Sequence, residues 1–337
     1  MAKTKKKSYL LSKEQVKKMK EQRRTKKRKY KGNRYPFRNI TKKEALHGFF
    51  ALRNKENLNP RSLLGNVVVN YGTEKAREKT KYRGKSHFDK WKEPHSKKKV
   101  IEFAMNLYNG KYQGAQNLFD SYKYAMELQW GTINSMRPAA ALNFYRKHKA
   151  TTILDFTAGW GSRMTAAFAG DFNYIGIDSN ISLKPGYKKI RKLLEPHSKS
   201  RIKLYFNPAE DVDFSKFKYD MVFTSPPYEY LEVYENMKNY DGTGKIKQPS
   251  SSTKIKMSDG PKFYDEFLIP TIKKAFTYLP KGKLLCLNIP DLMYKKIRKK
   301  FRKCDKKEDY MIIKRPGSNM KPHQRRGQEH IYIWIKK

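Results

Sequence analysis

The sequence predicts an α/β protein with a Rossmann-like sheet that carries helices on both faces, plus a small, mainly helical N-terminal region and a basic arm. Two observations lead to this prediction. Residues 151–163 form an apolar strand pattern that runs into a glycine turn and then a helix over residues 162–169. Residues 174–178 follow as a second short apolar run that ends in a carboxylate. Strands that alternate with helices are typical of a parallel sheet covered by helices.

The glycine turn is the first candidate binding element. Gly159 and Gly161 let the backbone approach a ligand closely, and the helix that follows points its unpaired N–H groups toward that ligand. A plain glycine-bearing turn is the simpler interpretation. Asp178, however, stands about twenty residues beyond the glycines, where an α/β nucleoside site places an acid on ribose hydroxyls. Together the two features favour a nucleoside-binding site.

A second candidate element follows the apolar run 219–224, where the chain reads Ser225-Pro226-Pro227-Tyr228. The two prolines fix the backbone and remove two donors, so nearby carbonyl oxygens stay available as rigid acceptors. The tyrosine offers a flat face for stacking. Pro-Pro runs usually mark loops, which is the simpler interpretation of this segment. An exocyclic amine of a nucleobase would fit such a clamp.

With both elements in place, residues 130–337 resemble the S-adenosylmethionine-dependent amino-methyltransferases, which methylate adenine N6 or cytosine N4 in DNA. Asp155, Gly159 and Gly161 match the family's first motif, Asp-x-Phe-x-Gly-x-Gly, whereas Thr157 stands where the motif has Phe. Residues 225–228 match the fourth motif, Asp/Asn/Ser-Pro-Pro-Tyr/Phe, in full. The order of the motifs is that of the non-permuted enzymes. The resemblance implies a class I methyltransferase sheet.

The resemblance also implies roles for individual residues. The segment before the first motif is expected near the methionine end of the cofactor, and an acid after the run 202–206 near its adenine, with Asp211 preferred to Glu210. No metal is expected. The implied cofactor-binding residues are Asp155, Thr157, Ala158, Gly159, Gly161, Asp178, Asp211, Arg137 and Pro138, and the implied catalytic residues are Ser225, Pro226, Pro227 and Tyr228.

The clamp suggests a mechanism. The Ser225 hydroxyl and the Pro226 carbonyl would accept the two N–H bonds of the amine, while Tyr228 stacks on a base rotated out of its duplex. Most of the acceleration would then come from positioning. The enzymes that the chain resembles often carry serine at the first clamp position when they methylate cytosine N4, so the resemblance favours cytosine N4. The alternatives are adenine N6 in DNA, a base in RNA, and an inactive nucleic-acid-binding protein on the same fold.

The charge of the chain points to a polyanionic partner. Its 76 Lys and Arg residues exceed its 31 Asp and Glu residues, which gives a formal net charge of +45. A small soluble domain needs a net charge of only about 2 to 8 for solubility. The excess therefore predicts a nucleic-acid partner, with DNA favoured over RNA.

Charge and motifs divide the chain into three parts. Residues 1–43 contain 19 Lys or Arg against two Glu and are expected to form a flexible basic arm. Residues 44–129 are expected to form a small helical region, which either recognises the target or acts as a lid. A capping-box pattern over residues 41–44 predicts its first helix, and residues 97–108 predict another. Residues 130–337 form the expected methyltransferase domain.

The sequence offers no membrane or export signal. No apolar run approaches the roughly twenty residues that span a bilayer, and the basic N-terminus lacks a following apolar core. We therefore expect no membrane partner and an intracellular protein, cytoplasmic or nuclear, or one packaged with nucleic acid, that is not secreted. Cys286 and Cys304 are too few for a disulfide framework or a cysteine zinc site, and Cys286 is expected in the core.

Overall fold

The computed structural model describes residues 35–82, 85–108, 118–131, 135–227, 239–240, 246–247, 263–309 and 329–337. Residues 1–34 of the predicted basic arm lie outside the described residues, as does Tyr228 of the predicted clamp.

A mixed sheet of seven strands forms the centre of the fold. The strands are β3 (Thr152–Asp155), β4 (Asn173–Ile177), β5 (Ile202–Tyr205), β6 (Met221–Thr224), β9 (Leu284–Pro290), β10 (Lys306–Glu308) and β11 (Glu329–Ile335). They lie in the order β10-β11-β9-β6-β3-β4-β5. β11 pairs antiparallel with β9 on one side and with β10 on the other, and the remaining pairs of the sheet are parallel. Two further two-stranded pairs are β1 (Lys81–Tyr82) with β2 (Lys85–Ser86), and β7 (Asn239–Tyr240) with β8 (Ile246–Lys247).

The chain order of the strands creates a crevice at the middle of the sheet. From β3 the chain moves outward through β4 to β5, and it then returns to the other side of β3 with β6. In open α/β sheets, ligands bind at the carboxyl ends of the strands where the order reverses in this way. The reversal lies between β3 and β6, which are the strands that lead into the two predicted site motifs.

The α-helices among the described residues include two over the predicted positions, one starting at Ser162 and one ending at Tyr108. The α-helices of the described residues are α1 (Lys42–Arg53), α2 (Asn66–Lys79), α3 (His87–Lys92), α4 (Pro94–Tyr108), α5 (Leu118–Trp130), α6 (Pro138–Lys147), α7 (Ser162–Gly170), α8 (Lys184–Leu194), α9 (Ile269–Thr277) and α10 (Asp291–Lys300).

Helices cover both faces of the sheet, which confirms the predicted Rossmann-like α/β fold. Alternate strand residues point to opposite faces. Ile153 of β3 joins a core with α1, α2, α6, α7 and α8, which we call the main core. Its neighbour Leu154 joins a second core with α9 and α10. Cys286 is fully buried in the first of these cores, as predicted, and burial raises the pKa of its thiol well above the ordinary value.

The helical region before the sheet has two parts. The predicted capping box is confirmed: the Thr41 side chain accepts from the Glu44 backbone N–H, and the Glu44 side chain accepts from the Thr41 N–H. Helices α1 and α2 add their apolar faces to the main core, while α3, α4 and α5 surround a separate small core that contains Trp91 and Trp130. In the part of the chain that the structure describes, no helix is long and apolar enough to cross a membrane.

Candidate active site

The glycine turn between β3 and α7 adopts the backbone that its glycines permit. Gly159 has φ +61° and Gly161 has φ +85°, both in the left-handed region that side chains disfavour. The Ala158 N–H donates to the Ile177 carbonyl at 2.9 Å, and the Tyr187 hydroxyl donates to the Gly159 carbonyl at 2.9 Å. The turn is thus anchored to the end of β4 and to α8, and the first turn of α7 follows it directly.

Asp155, at the end of β3, lies beneath this turn. Its carboxylate is fully buried and accepts from Arg163 Nε at 2.6 Å, from the Tyr174 hydroxyl at 2.5 Å and from the Thr224 hydroxyl at 2.8 Å. Arg163 also donates to the Thr157 carbonyl. Although burial lowers the pKa of Arg163, the charge and hydrogen bond of Asp155 together with the nearby Tyr174 and Tyr145 outweigh it and hold that pKa above its usual range. Through these hydrogen bonds Asp155 connects the turn to β4 and β6.

Thr157 joins the two predicted motifs. Its hydroxyl lies 2.5 Å from the hydroxyl of Thr224, the last residue of β6 and the one that precedes Ser225. The side chain of Thr157 therefore has a partner directly before Ser225. The glycine turn and the beginning of the Ser-Pro-Pro corner consequently meet at the crevice between β3 and β6.

Ser225 is held by the neighbouring strand. Its hydroxyl donates to the Asn288 carbonyl at 3.2 Å and accepts from Asn288 Nδ2 at 3.4 Å. Because its one proton is directed at a carbonyl, the oxygen acts toward other groups as an acceptor. Pro226 is buried and Pro227 is half-buried.

Asn288 was missed by the sequence analysis. The signal that could have found it is a polar residue within the otherwise apolar strand β9, where it is only 2% exposed. A buried amide in a strand needs hydrogen-bond partners, and Ser225 is one of them.

Asp178 follows β4 at the predicted position. One carboxylate oxygen accepts from the Gly159 N–H at 2.7 Å and the other from the Asn180 N–H at 2.8 Å. Burial raises the pKa of Asp178 to about 6, although the two backbone hydrogen bonds oppose the shift. The carboxylate is thus fixed in direction beside the glycine turn, and its charge changes close to neutral pH.

The segment before α6 also reaches the turn. The Ser135 hydroxyl lies 2.6 Å from that of Ser162, the first residue of α7. Pro138 begins α6 and is buried, whereas the Arg137 guanidinium donates to the Arg61 carbonyl. This predicted segment therefore borders the turn through Ser135, and Arg137 connects it to the N-terminal helical region.

Asp211 lies at the end of a short 3-10 helix, Ala209–Asp211, that follows β5. Its side chain is exposed, while that of Glu210 is half-buried. Lys274 of α9 donates to the Ala209 carbonyl at 3.1 Å and to the Glu210 carbonyl at 2.6 Å, which fixes the loop backbone. The loop thus lies at the same sheet edge as Asp178.

Comparisons with known proteins give distant structural likenesses. No family model matches the sequence, and no curated protein matches it. Among solved structures, TrmN from Thermus thermophilus is 14% identical with a TM-score of 0.38, over 59% of this chain and 49% of that one. An rRNA methylase from Streptococcus thermophilus is 11% identical with a TM-score of 0.36, over 61% of this chain and 98% of that one.

A third solved structure is a TehB-like SAM-dependent methyltransferase from Corynebacterium glutamicum. It is 10% identical with a TM-score of 0.35, over 65% of this chain and 97% of that one. The chain spans about half the length of TrmN. Because all three likenesses are distant, the function of this chain has to be derived from its own site residues.

Proposed function

We propose that this protein is an S-adenosylmethionine-dependent methyltransferase that methylates an exocyclic amino group of a nucleic-acid base. Cytosine N4 in DNA is the favoured target. The observation that carries the proposal is the 2.5 Å contact between Thr157 and Thr224, because it brings the glycine turn and the Ser-Pro-Pro corner together. Methyl transfer requires cofactor and acceptor to meet at one crevice.

The residues of the turn suit the cofactor. Asp178 would accept the ribose hydroxyls, and the backbone around Gly159 and Gly161 would lie against the amino-acid part. S-adenosylmethionine supplies a sulfonium methyl group, which is the electrophile of the reaction. Asp155 would act as a positioning residue, since its carboxylate faces Arg163 and Tyr174 beneath the turn.

The corner suits an amine. An exocyclic amine donates two N–H bonds, so it needs two acceptors that pull the nitrogen toward tetrahedral geometry. The Ser225 oxygen is one acceptor, because its own proton is directed at Asn288, and the Pro226 carbonyl is proposed as the other. Tyr228 is proposed to stack on the extruded base. Most of the rate enhancement would come from this positioning.

The deciding experiment is methyl transfer from labelled S-adenosylmethionine to duplex DNA, single-stranded DNA and structured RNA, followed by mass spectrometry of the nucleosides. We expect N4-methylcytosine from DNA. N6-methyladenine alone would replace the favoured base, and a labelled RNA nucleoside alone would replace the favoured nucleic acid. The amino-methyltransferase proposal fails if no nucleoside is labelled although the cofactor binds.

Ser225→Ala tests the clamp separately. We expect it to abolish most turnover while the cofactor affinity measured by calorimetry stays within about twofold, because the Ser225 hydroxyl bonds Asn288 of β9. Ser215→Ala is a matched control, since it removes a hydroxyl from an exposed residue that donates to Asp213, the N-cap of its own short helix. Full activity of the Ser225 variant would refute the clamp.

A further inference from the structure

A basic groove lies at the outer edge of the sheet, away from the Ser-Pro-Pro corner. It is a cavity of about 970 Å³ between α8 and the edge strand β5. We call it the α8–β5 groove, and its lining includes Lys184, Lys188, Arg191, Lys192, Tyr205 and Phe206.

The cations of this groove are arranged along one side of α8. Lys184, Lys188 and Lys192 are four residues apart, so their stems follow one another at intervals of about 6 Å. Among the described residues these three lysines make no ion pair, whereas Arg191 pairs with Glu195 at 2.5 Å. The groove therefore presents a row of cations at a regular spacing.

The neighbouring Lys189 does not belong to this row. Its ammonium donates to the Tyr71 carbonyl at 2.9 Å and lies 3.7 Å from the centroid of the Tyr71 ring, so it fastens α8 to α2. The apolar side of α8, with Tyr187 and Ile190, is buried in the main core. Only the side that faces the groove keeps its lysines without partners among the described residues.

The floor of the groove carries one aromatic ring on the α8 side, that of Phe206. Phe206 is half-buried and meets Tyr187 edge to face at 5.8 Å. The ring of the preceding Tyr205 packs with the core on the other face of the sheet, against Phe217 at 5.1 Å. A ring held like that of Phe206 can stack on a base, and stacking requires a base that is not paired within a duplex.

The groove borders the proposed cofactor site. The Asp178 N–H donates to the Tyr205 carbonyl at 3.0 Å, so the floor of the groove begins directly beside the residue proposed to hold the ribose. A strand lying in the groove would lead from the outer edge of the sheet toward the crevice.

We propose that the α8–β5 groove binds the backbone of a single-stranded stretch of nucleic acid, with the lysines on successive phosphates and the Phe206 ring under a base. Charge complementarity selects this occupant, because four cations and one carboxylate line the groove. The inference rests on the proposed function, in which the substrate is a nucleic acid.

The test uses the full chain and measures the affinity for a labelled single-stranded homopolymer over a range of salt concentrations. Replacing Lys184 and Lys188 with Gln should reduce the slope of log affinity against log salt by about 1.4, since each phosphate contact on a single strand contributes about 0.7. The matched control replaces Lys295 and Lys299 of α10 with Gln; these exposed lysines have the same spacing and lie on another helix. It should leave the slope almost unchanged.

A second variant tests the Phe206 ring. Phe206→Leu keeps an apolar side chain in the core but removes the ring, and it should weaken single-strand binding about fivefold or more. Equal slopes for the Lys184/Lys188 variant and its control would overturn the proposal. So would unchanged single-strand affinity of the Phe206 variant together with a preference of the wild-type protein for duplex.

Calorimetry with S-adenosylmethionine on the same proteins separates the two proposals. If the cofactor does not bind but the Lys184/Lys188 variant still loses salt dependence, the proposed activity fails and the groove stands. If methyl transfer proceeds and the slopes are equal, the groove fails and the activity stands.

Discussion

Asp155 in the sheet is fully buried and Glu78 in the helical region is 12% exposed; both carboxylates accept several hydrogen bonds, but their partners lie in different parts of the fold. Asp155 joins residues of β3, α7, β4 and β6, which border the crevice. Glu78 of α2 bonds Lys123 at 3.0 Å, His87 at 3.0 Å and the Tyr35 hydroxyl, all within residues 35–131. The first network therefore organises the site, and the second organises the helical region.

The comparison shows that burial alone does not identify a functional acid. Burial raises the pKa of Glu78, but the hydrogen bond from His87 and the charge of Lys123 outweigh it and hold that pKa well below the usual range. Lys123 is itself 4% exposed and also pairs with Glu74 at 3.0 Å. What distinguishes Asp155 is that its partners belong to the strands on both sides of the topological switch.

The largest expected effect is that of Asp155→Asn. It leaves the Arg163 charge buried without its counter-ion, and breaking a buried pair in this way costs about 3 to 5 kcal/mol of unfolding free energy. We expect cofactor binding to be lost as well, because the turn loses its support. Denaturant unfolding and calorimetry measure both effects. Asp213→Asn, at an exposed acid that caps its own short helix, should change neither strongly.

Glu78→Gln should be less severe and should separate the two regions. We expect a loss of about 1.5 to 3 kcal/mol, the range for hydrogen bonds to a charged group. Faster hydrogen exchange should be confined to residues 35–131, and cofactor affinity should stay within about twofold. Equal loss of cofactor affinity in the Glu78 and Asp155 variants would show that the networks are not independent.

The Glu78 contribution should also depend on pH. The folded-state pKa is lowered, so the stabilisation is present above the ordinary Glu pKa of about 4.3 and is lost as pH falls below it. Wild-type protein and the Gln variant should therefore approach each other in stability in acid.

Cofactor affinity should follow the ionisation of Asp178. If the carboxylate accepts the ribose hydroxyls, protonation removes an acceptor, so affinity should fall as pH drops through about 6. We expect a decrease of about tenfold for each pH unit well below that value. Calorimetry of wild-type protein and Asp178→Asn across this range measures it; a variant with the same pH profile as wild type would exclude Asp178 as the source.

The smallest expected effect is that of Thr157→Val, which removes one hydroxyl from the contact with Thr224 at nearly constant volume. We expect a loss of about 0.5 to 1.5 kcal/mol in stability. Turnover should fall more than cofactor affinity, because the contact sets the position of the corner relative to the turn. Thr277→Val, at an exposed position of α9 where the hydroxyl bonds the Lys273 carbonyl of its own helix, is the matched control.

Local patterns predicted much of the fold. The strand, glycine turn and helix over residues 151–169, the capping box at Thr41 and the burial of Cys286 all follow from periodicity and short-range hydrogen bonding. Helix α2 was not predicted, because it starts after Gly65 without a side-chain cap and its apolar face becomes apparent only against α8 and α1. The division of residues 44–129 between two cores was missed for the same reason.

The sequence was sufficient for the order of the motifs, the positions that need glycine, and the charge that points to a polyanion, because these depend on neighbouring residues or on composition. The contacts of Thr157 with Thr224 and of Ser225 with Asn288 depended on the tertiary structure. These partners are more than sixty residues apart in the chain. They meet only when the sheet register places β6 between β3 and β9.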